Sequence, residues 1–337
     1  MSFVHLHFYG RTTSPWHVGK TRYGDYLYTR DDLLWGRGIR GPVLRQLWRV
    51  YCPKSEGREK VAFVPEKDCS LCKMAGDCPF WNLRGTADEG EFKDKPRLII
   101  GNLHFVGDVK RGRVALATVD DQFLSVVPGR APVFVEYLCE GVEFEFEVIF
   151  MGAGVRFVDE FVSAVKVSLS FHGWGGFCNE GFGRGVISNV KRHSFDEFEK
   201  MYVKPVVDRL VGCESCCFRI EPLLMLDRDG GGFYRSVFED GFREKFCNCV
   251  NERFWQFYGR HVHVQRFVAG FGGRARSVRI YGWSRRFGSR KEFVGVGNEL
   301  CLRFSGVLGG DGVRALALMK YGVGRFKNQG FGCLMLK

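Results

Sequence analysis

Hydrophobic and polar positions alternate from Phe3 to Tyr9. Val4, Leu6 and Phe8 share one face and His5 and His7 the other, the period of a half-buried strand. After a polar, Gly-containing stretch, Gly41-Pro42 predicts the start of a helix, with proline at its usual first-turn place. Leu44, Leu47, Trp48 and Tyr51 follow at helical spacing, with Arg45 and Arg49 four apart on another face. Strands are expected near Leu98–Val106, Val114–Val119 and Val133–Leu138. In Val142–Phe150, Phe144, Phe146, Val148 and Phe150 alternate with three glutamates. Phe157, Phe161, Val162, Val165 and Leu169 return to helical spacing. A Gly-rich loop over Gly173–Gly185 and a strand over Val186–Val190 close this half.

The second half repeats that order. Phe218–Leu226 reads as a strand. Ser236 and Glu239 have the spacing of a capping box before a long helix carrying Phe238, Phe242, Phe246, Phe254 and Phe257. Strands are expected near Val278–Arg285 and Glu299–Phe304, and a short helix from Asp311 to Met319. A second Gly-rich loop, Gly322–Gly332, leads into a strand over Cys333–Leu336. Each half therefore reads β-α-β-β-α-β, the ferredoxin-like or RRM-like unit. The predicted fold is α+β: two tandem ferredoxin-like domains, each with a Gly-rich loop before its last strand. Residues 1–194 form the first domain with a cysteine-rich insertion, 195–213 the linker and 214–337 the second domain.

Charge narrows the class of partner. Fifty Lys and Arg against 38 Asp and Glu give a net charge of +12, a balance that favours a polyanion, nucleic acid first. From Arg253 to Lys291 there are ten basic residues and no acidic one, interleaved with Trp255, Phe257, Tyr258, Tyr281 and Trp283. Arginines hold phosphates while aromatic faces stack bases, the combination single-stranded nucleic acid requires. No run of about 18 apolar residues predicts a membrane span. Met1 runs almost directly into the first strand, so a cytoplasmic protein is expected.

The Gly-rich loops add a backbone element to this picture. Gly322, Gly324, Gly330 and Gly332 frame Arg325, Lys327, Asn328 and Gln329, donors suited to an RNA backbone, and glycines let backbone N–H groups approach a phosphate. GxxxxGK[ST] is absent, so this is no nucleotide phosphate loop. The terminal GVGRFKNQGFG resembles the Gly-rich loop of the CRISPR RNA (pre-crRNA) processing endoribonucleases of the CRISPR-associated RAMP superfamily. SPWHVGK at Ser14–Lys20 and GRGIRGPVLR at Gly36–Arg45 resemble the superfamily's first loop and first-helix start. IYGWSRRFGSR at Ile280–Arg290 is similar to the processing enzymes' C-terminal domain. The resemblance implies CRISPR repeat RNA or guide RNA as partner, with other CRISPR effector subunits as further ones. The RNA contacts expected are Arg40, Arg45, Arg49, Arg274, Arg276, Arg285, Arg286, Arg290, Arg325 and Lys327, with Gly322, Gly324, Gly330 and Gly332.

Thirteen cysteines without a secretory leader do not predict a disulfide framework. Cys69, Cys72 and Cys78, with Cys52 as fourth ligand, have spacing suited to closed, structural, tetrahedral zinc. The family resemblance agrees, since many superfamily members carry a cysteine cluster after the first helix. Cys213, Cys216, Cys217, Cys247 and Cys249 read mostly as core thiols.

Metal-independent RNA cleavage sets the 2′-hydroxyl against the adjacent phosphate and benefits from a base, an acid and a cation. The resemblance places a catalytic histidine near the first helix, often with tyrosine and lysine. His17, followed by Lys20, Tyr23 and Tyr26, is the candidate there, and it also matches a structural histidine of the superfamily's loop. No catalytic metal is expected. His261 and His263 read as RNA-facing or structural, and His5 and His7 as projecting from a sheet face. Metal-assisted cleavage by Asp25, Asp31 and Asp32 is a second mechanism. Two further classes stay open: a non-catalytic RAMP subunit holding guide RNA, and a zinc-containing RNA-binding protein unrelated to CRISPR.

Overall fold

The computed structural model describes residues 2–23, 25–30, 32–53, 69, 72–84, 97–116, 132–284, 289–306 and 309–337. The first half opens with β1 (Phe3–Thr12), then β2 (Gly19–Tyr23), β3 (Tyr26–Thr29) and β4 (Leu33–Leu34). Helix α1 spans Gly36–Tyr51 and is followed by the short α2 (Pro79–Arg84). Strands β5 (Leu98–Ile100), β6 (Leu103–Val106), β7 (Arg111–Leu116), β8 (Val133–Leu138) and β9 (Glu143–Met151) lead to helix α3 (Val158–Val167), which runs on as a π turn through His172. β10 (Gly185–His193) ends this half.

The main sheet has the order β10-β1-β9-β6-β4, with β5 also on β9, and all its pairs are antiparallel. β5 and β6 act as one strand broken at Gly101-Asn102. Phe8, Phe144, Phe146 and Phe150 face α1 and α3 and fill the first core with Ile39, Val43, Leu47, Phe161 and Val165. A smaller sheet, β2-β3-β8-β7, stands beside it, with β3 and β8 parallel.

Helices α4 (Phe195–Phe198) and α5 (Lys204–Leu210), joined through a π turn, connect the halves. Ser194 and Glu197 form a capping box at the start. Phe198, Val203 and Leu210 are buried in the second core, so the connector is packed along its length. The second half follows with β11 (Ser215–Leu224), helix α6 (Phe242–Tyr258), β12 (Val268–Gly272), β13 (Arg276–Ser284), β14 (Ser289–Phe304), helix α7 (Gly310–Ala317) and β15 (Cys333–Leu336). Its sheet order is β12-β14-β11-β15, with β13 on β14, again antiparallel throughout. Last strand, first strand, third strand, then the segments of the second: both halves share this order.

Three expectations are corrected. Helix α1 begins at Gly36, five residues before Gly41, with Pro42 inside it; the Asn102 side chain accepts from Gly36 N–H (3.1 Å) and caps the earlier start. The Ser236/Glu239 pair closes a turn instead of starting α6: Glu239 accepts from the N–H groups of Arg235 and Ser236, and Gly241, at φ 82°, breaks the chain before Phe242. Phe238 is accordingly exposed. Cys217, one of a set read mostly as core thiols, is disulfide-bonded to Cys301 across neighbouring strands, where the register sets the two opposite each other.

Candidate nucleic-acid interface

The two Gly-rich loops match residue for residue at an offset of 149. Gly173, Gly175, Gly181 and Gly183 correspond to Gly322, Gly324, Gly330 and Gly332, all at positive φ. Phe177 and Phe326, each at φ 57°, precede equivalent single 3-10 turns. Trp174 N–H donates to Gly183 O as Val323 N–H donates to Gly332 O, and Gly176 donates to His17 O as Arg325 donates to Met225 O. Each loop is thus clamped to the segment following its own first strand.

That clamp explains His17. Its ring is buried, Nδ1 donates to Glu136 O (2.8 Å), and a side chain at Gly176 would collide with it. Burial lowers its pKa, against the opposing pull of Glu136. The His17 ring thus lies buried beneath the first loop. Tyr23 is 77% exposed and does not join it in a closed site; the Lys20 side chain lies outside the described residues.

The expected RNA contacts divide into three groups. Arg45, Arg49, Arg274 and Arg276 are exposed, as is Arg325, which meets Asp227 at 3.2 Å. Others turn inward. Arg40 donates to Arg84 O, and burial first, then the Arg84 charge, bring its pKa down to about 10. Lys327 meets Glu252 at 2.6 Å with a mostly buried side chain, and the neighbouring Arg253 holds Gly322 O and Asn328. Gly330 and Gly324 are required by contact: a Cβ on Gly330 would strike Asn102 Oδ1 and Gly36 N, and one on Gly324 would strike Met225 O. Arg285, Arg286 and the Arg290 side chain lie outside the described residues.

Around the second loop, Trp35 and Arg37 of the first half reach the aromatic side chains of the second. Trp35 meets Phe331 edge-on at 5.7 Å, and Arg37 lies over Phe293 (5.0 Å) and Phe326 (5.8 Å). Of the basic tract, Arg253 is buried, Arg260 pairs with Asp311 and Arg279 with Glu292. His261 stacks against Trp255 in the loop after α6. Asp25 and Asp32 are exposed, Asp32 beside Arg30, and Asp31 is outside the described residues.

Sequence periodicity missed the polar seam between the halves. The face of β1 and β9 turned away from the first core carries His5, His7, Tyr9, Glu145 and Glu147, facing the connector and the 3-10 turn (Leu318–Tyr321) after α7. Glu147 accepts from Lys320 Nζ (2.6 Å), Tyr321 OH (2.8 Å) and His5 Nε2 (2.9 Å). A neutral His5 donating from Nε2 accepts at Nδ1, so His193 Nδ1 donates to it at 3.2 Å. His7 donates to Glu145 (3.0 Å) and accepts from Tyr202 and Tyr9 (3.0 Å each). Burial would raise the Glu147 carboxyl, yet the Lys320 ammonium and His5 hold it well below the usual carboxylate range. Burial lowers His5 and His7 despite their carboxylate partners. A cavity of about 200 Å³ opens beside this network, lined also by His104, Arg219 and Glu221. The three glutamates alternating along β9 were the legible signal.

The four candidate zinc ligands, Cys52, Cys69, Cys72 and Cys78, line one cavity with Phe80 and Trp81. Cys72 N–H donates to Cys69 O in a tight turn. Burial pushes the Cys69 thiol up to about 11, with the Cys78 and Cys52 sulfurs adding to the effect. A tetrahedral site needs sulfurs about 3.8 Å apart at Zn–S bonds of about 2.3 Å. Among the described residues, the donor set lying within 4.8 Å of one another is instead Cys217, Glu299 and Cys301, two of which are disulfide-bonded. The four cysteines share a cavity but are not drawn to coordination spacing.

No family model matches the chain, and no curated protein matches it. Among solved structures, it is similar to a Cas6 from Thermus thermophilus with a TM-score of 0.43 at 12% identity, over 100% of both chains. It is similar to a Cas6 product complex at 0.42 and 12%, over 99% of both chains. To a chain of the type III-B Cmr-beta complex bound to cognate target RNA the score is 0.37 at 10% identity, over 56% of this chain. It spans about 60% of that chain's length. Among the described residues no helix is long and apolar enough to cross a membrane.

Proposed function

We propose that the chain consists of two tandem ferredoxin-like domains that bind CRISPR repeat RNA and cleave the precursor transcript without a catalytic metal. The observation carrying this reading is the pair of Gly-rich loops matched at an offset of 149. They stand on two sheets that share the order last, first, third, second strand, the first sheet carrying β4 in addition. The second loop has the sequence that resembles the processing family, and exposed arginines stand on both halves. Arg45, Arg49, Arg274, Arg276 and Arg325 would contact phosphates. Cys52, Cys69, Cys72 and Cys78 would close on one structural zinc, which would tie the end of α1 to α2. The inward placement of His17 favours a second reading, a non-catalytic RAMP subunit that holds guide RNA.

Affinity for repeat RNA, measured across salt concentration, tests RNA binding by these side chains. The logarithm of affinity falls with that of salt by about 0.7 per phosphate neutralised on a single strand. Arg274→Ala with Arg276→Ala is expected to reduce that slope by about 1–1.5. An unchanged slope would place the RNA elsewhere.

A further inference from the structure

We propose that His172 is the general base of the cleavage reaction, with Arg45 and Arg49 holding the scissile phosphate beside it. The inference rests on the metal-independent processing reading and names the residue that would carry it out.

His172 ends the π turn after α3, immediately before the first Gly-rich loop. At the 149-residue offset its counterpart is Tyr321, and Phe171 corresponds to Lys320. In the second half that pair is spent on the seam, both members donating to Glu147. In the first half the same two positions are exposed, Phe171 at 71%. A duplicated frame thus uses one copy as a joint and leaves the other facing solvent.

The surroundings suit RNA chemistry. His172 Nε2 donates to Gln46 Oε1 at 3.2 Å, so α1 fixes the ring and its Nδ1 carries the lone pair, with Arg49 Nη1 3.5 Å from Nε2. Arg45 lies one helical turn from Arg49 on the same face. Among the described residues, the charges bearing on the ring are those of Arg49 and Arg45. Burial first, then these two guanidiniums, lower its pKa, so the ring is neutral and able to accept a proton at pH 7. Two guanidiniums one turn apart can hold a phosphodiester through charge-assisted hydrogen bonds. The exposed Phe171 ring offers a face for an adjacent base. Three of the other histidines are committed elsewhere: His5 to Glu147 and His193, His7 to Glu145 and two phenols, His17 to Glu136 O.

In the proposed step the 2′-oxygen attacks phosphorus while its proton passes to His172. The bond from phosphorus to the 5′-oxygen breaks, and that oxygen takes a proton from water. A 2′,3′-cyclic phosphate and a 5′-hydroxyl result, and His172 returns its proton to water. Arg45 and Arg49 stabilise the charge that builds on the phosphoryl oxygens.

The experiment compares wild type, His172→Ala and His172→Gln on an end-labelled transcript of tandem CRISPR repeats from the source genome. It measures single-turnover rate against pH and, separately, affinity. His172→Ala is expected to cut about 10²–10⁴-fold more slowly with affinity unchanged within about threefold. The wild-type rate should rise with pH through an inflection below about 6.5 that both variants lack. Added imidazole should restore part of the His172→Ala rate. If wild type cuts and His172→Ala cuts equally fast with the same pH profile, this assignment is overturned while the processing reading stands. If wild type binds the transcript and never cuts it, the processing reading falls and takes the assignment with it.

Discussion

Glu147 joins the halves through single side chains: Lys320 and Tyr321 arrive from the 3-10 turn after α7, and His5 from β1. Replacing Lys320 with Met leaves a mostly buried carboxylate short of its cation. That is expected to destabilise the protein by about 2–4 kcal/mol, below the full cost of breaking a buried pair because both groups are partly solvated. The same network sets an acid response. His5 and His7 titrate lower in the folded protein than in the unfolded chain, so below about pH 6.5 the unfolded state binds more protons and stability falls with pH. Glu147, depressed when folded, stabilises the protein above the carboxylate range and loses that contribution as the pH falls further. Denaturant midpoints should therefore drop between pH 7 and pH 5.5 and again below about pH 4.5. A flat profile across both windows would contradict the network.

At the level of elements, much was legible because periodicity and punctuation are local. The alternation of Val4, Leu6 and Phe8, the glutamates of β9 and the two Gly-rich loops all read through to the structure. What escaped depended on distant partners. The start of α1 at Gly36 needs Asn102, 66 residues away, as its cap. Arg40 and Lys327 look like free cations in sequence and are turned inward by Arg84 O and Glu252. The seam was hidden because nothing in β1 or β9 says what covers their second face. The cysteine segment makes its own prediction at this scale. Purified protein should carry about one zinc, and its removal should lower the melting temperature by loosening the end of α1 and α2. Metal-free protein that melts at the same temperature would leave Cys52, Cys69, Cys72 and Cys78 as ordinary thiols.

For the whole molecule, two copies of one strand order stand joined by a polar seam and by an aromatic contact at the second Gly-rich loop. Exposed arginines on α1, on β13 and in the loop before it, and in that second loop would let one RNA touch both halves. The central claim is that RNA bound there is cut by protein side chains alone, and end-group analysis tests it most directly. Zinc-loaded protein is incubated with a tandem-repeat transcript in buffer free of divalent ions, with cobalt hexammine as the counterion. Cleavage is expected to proceed and to leave a 2′,3′-cyclic phosphate, or the 3′-phosphate derived from it, opposite a 5′-hydroxyl. Cleavage that requires added magnesium and leaves a 5′-phosphate would contradict the account.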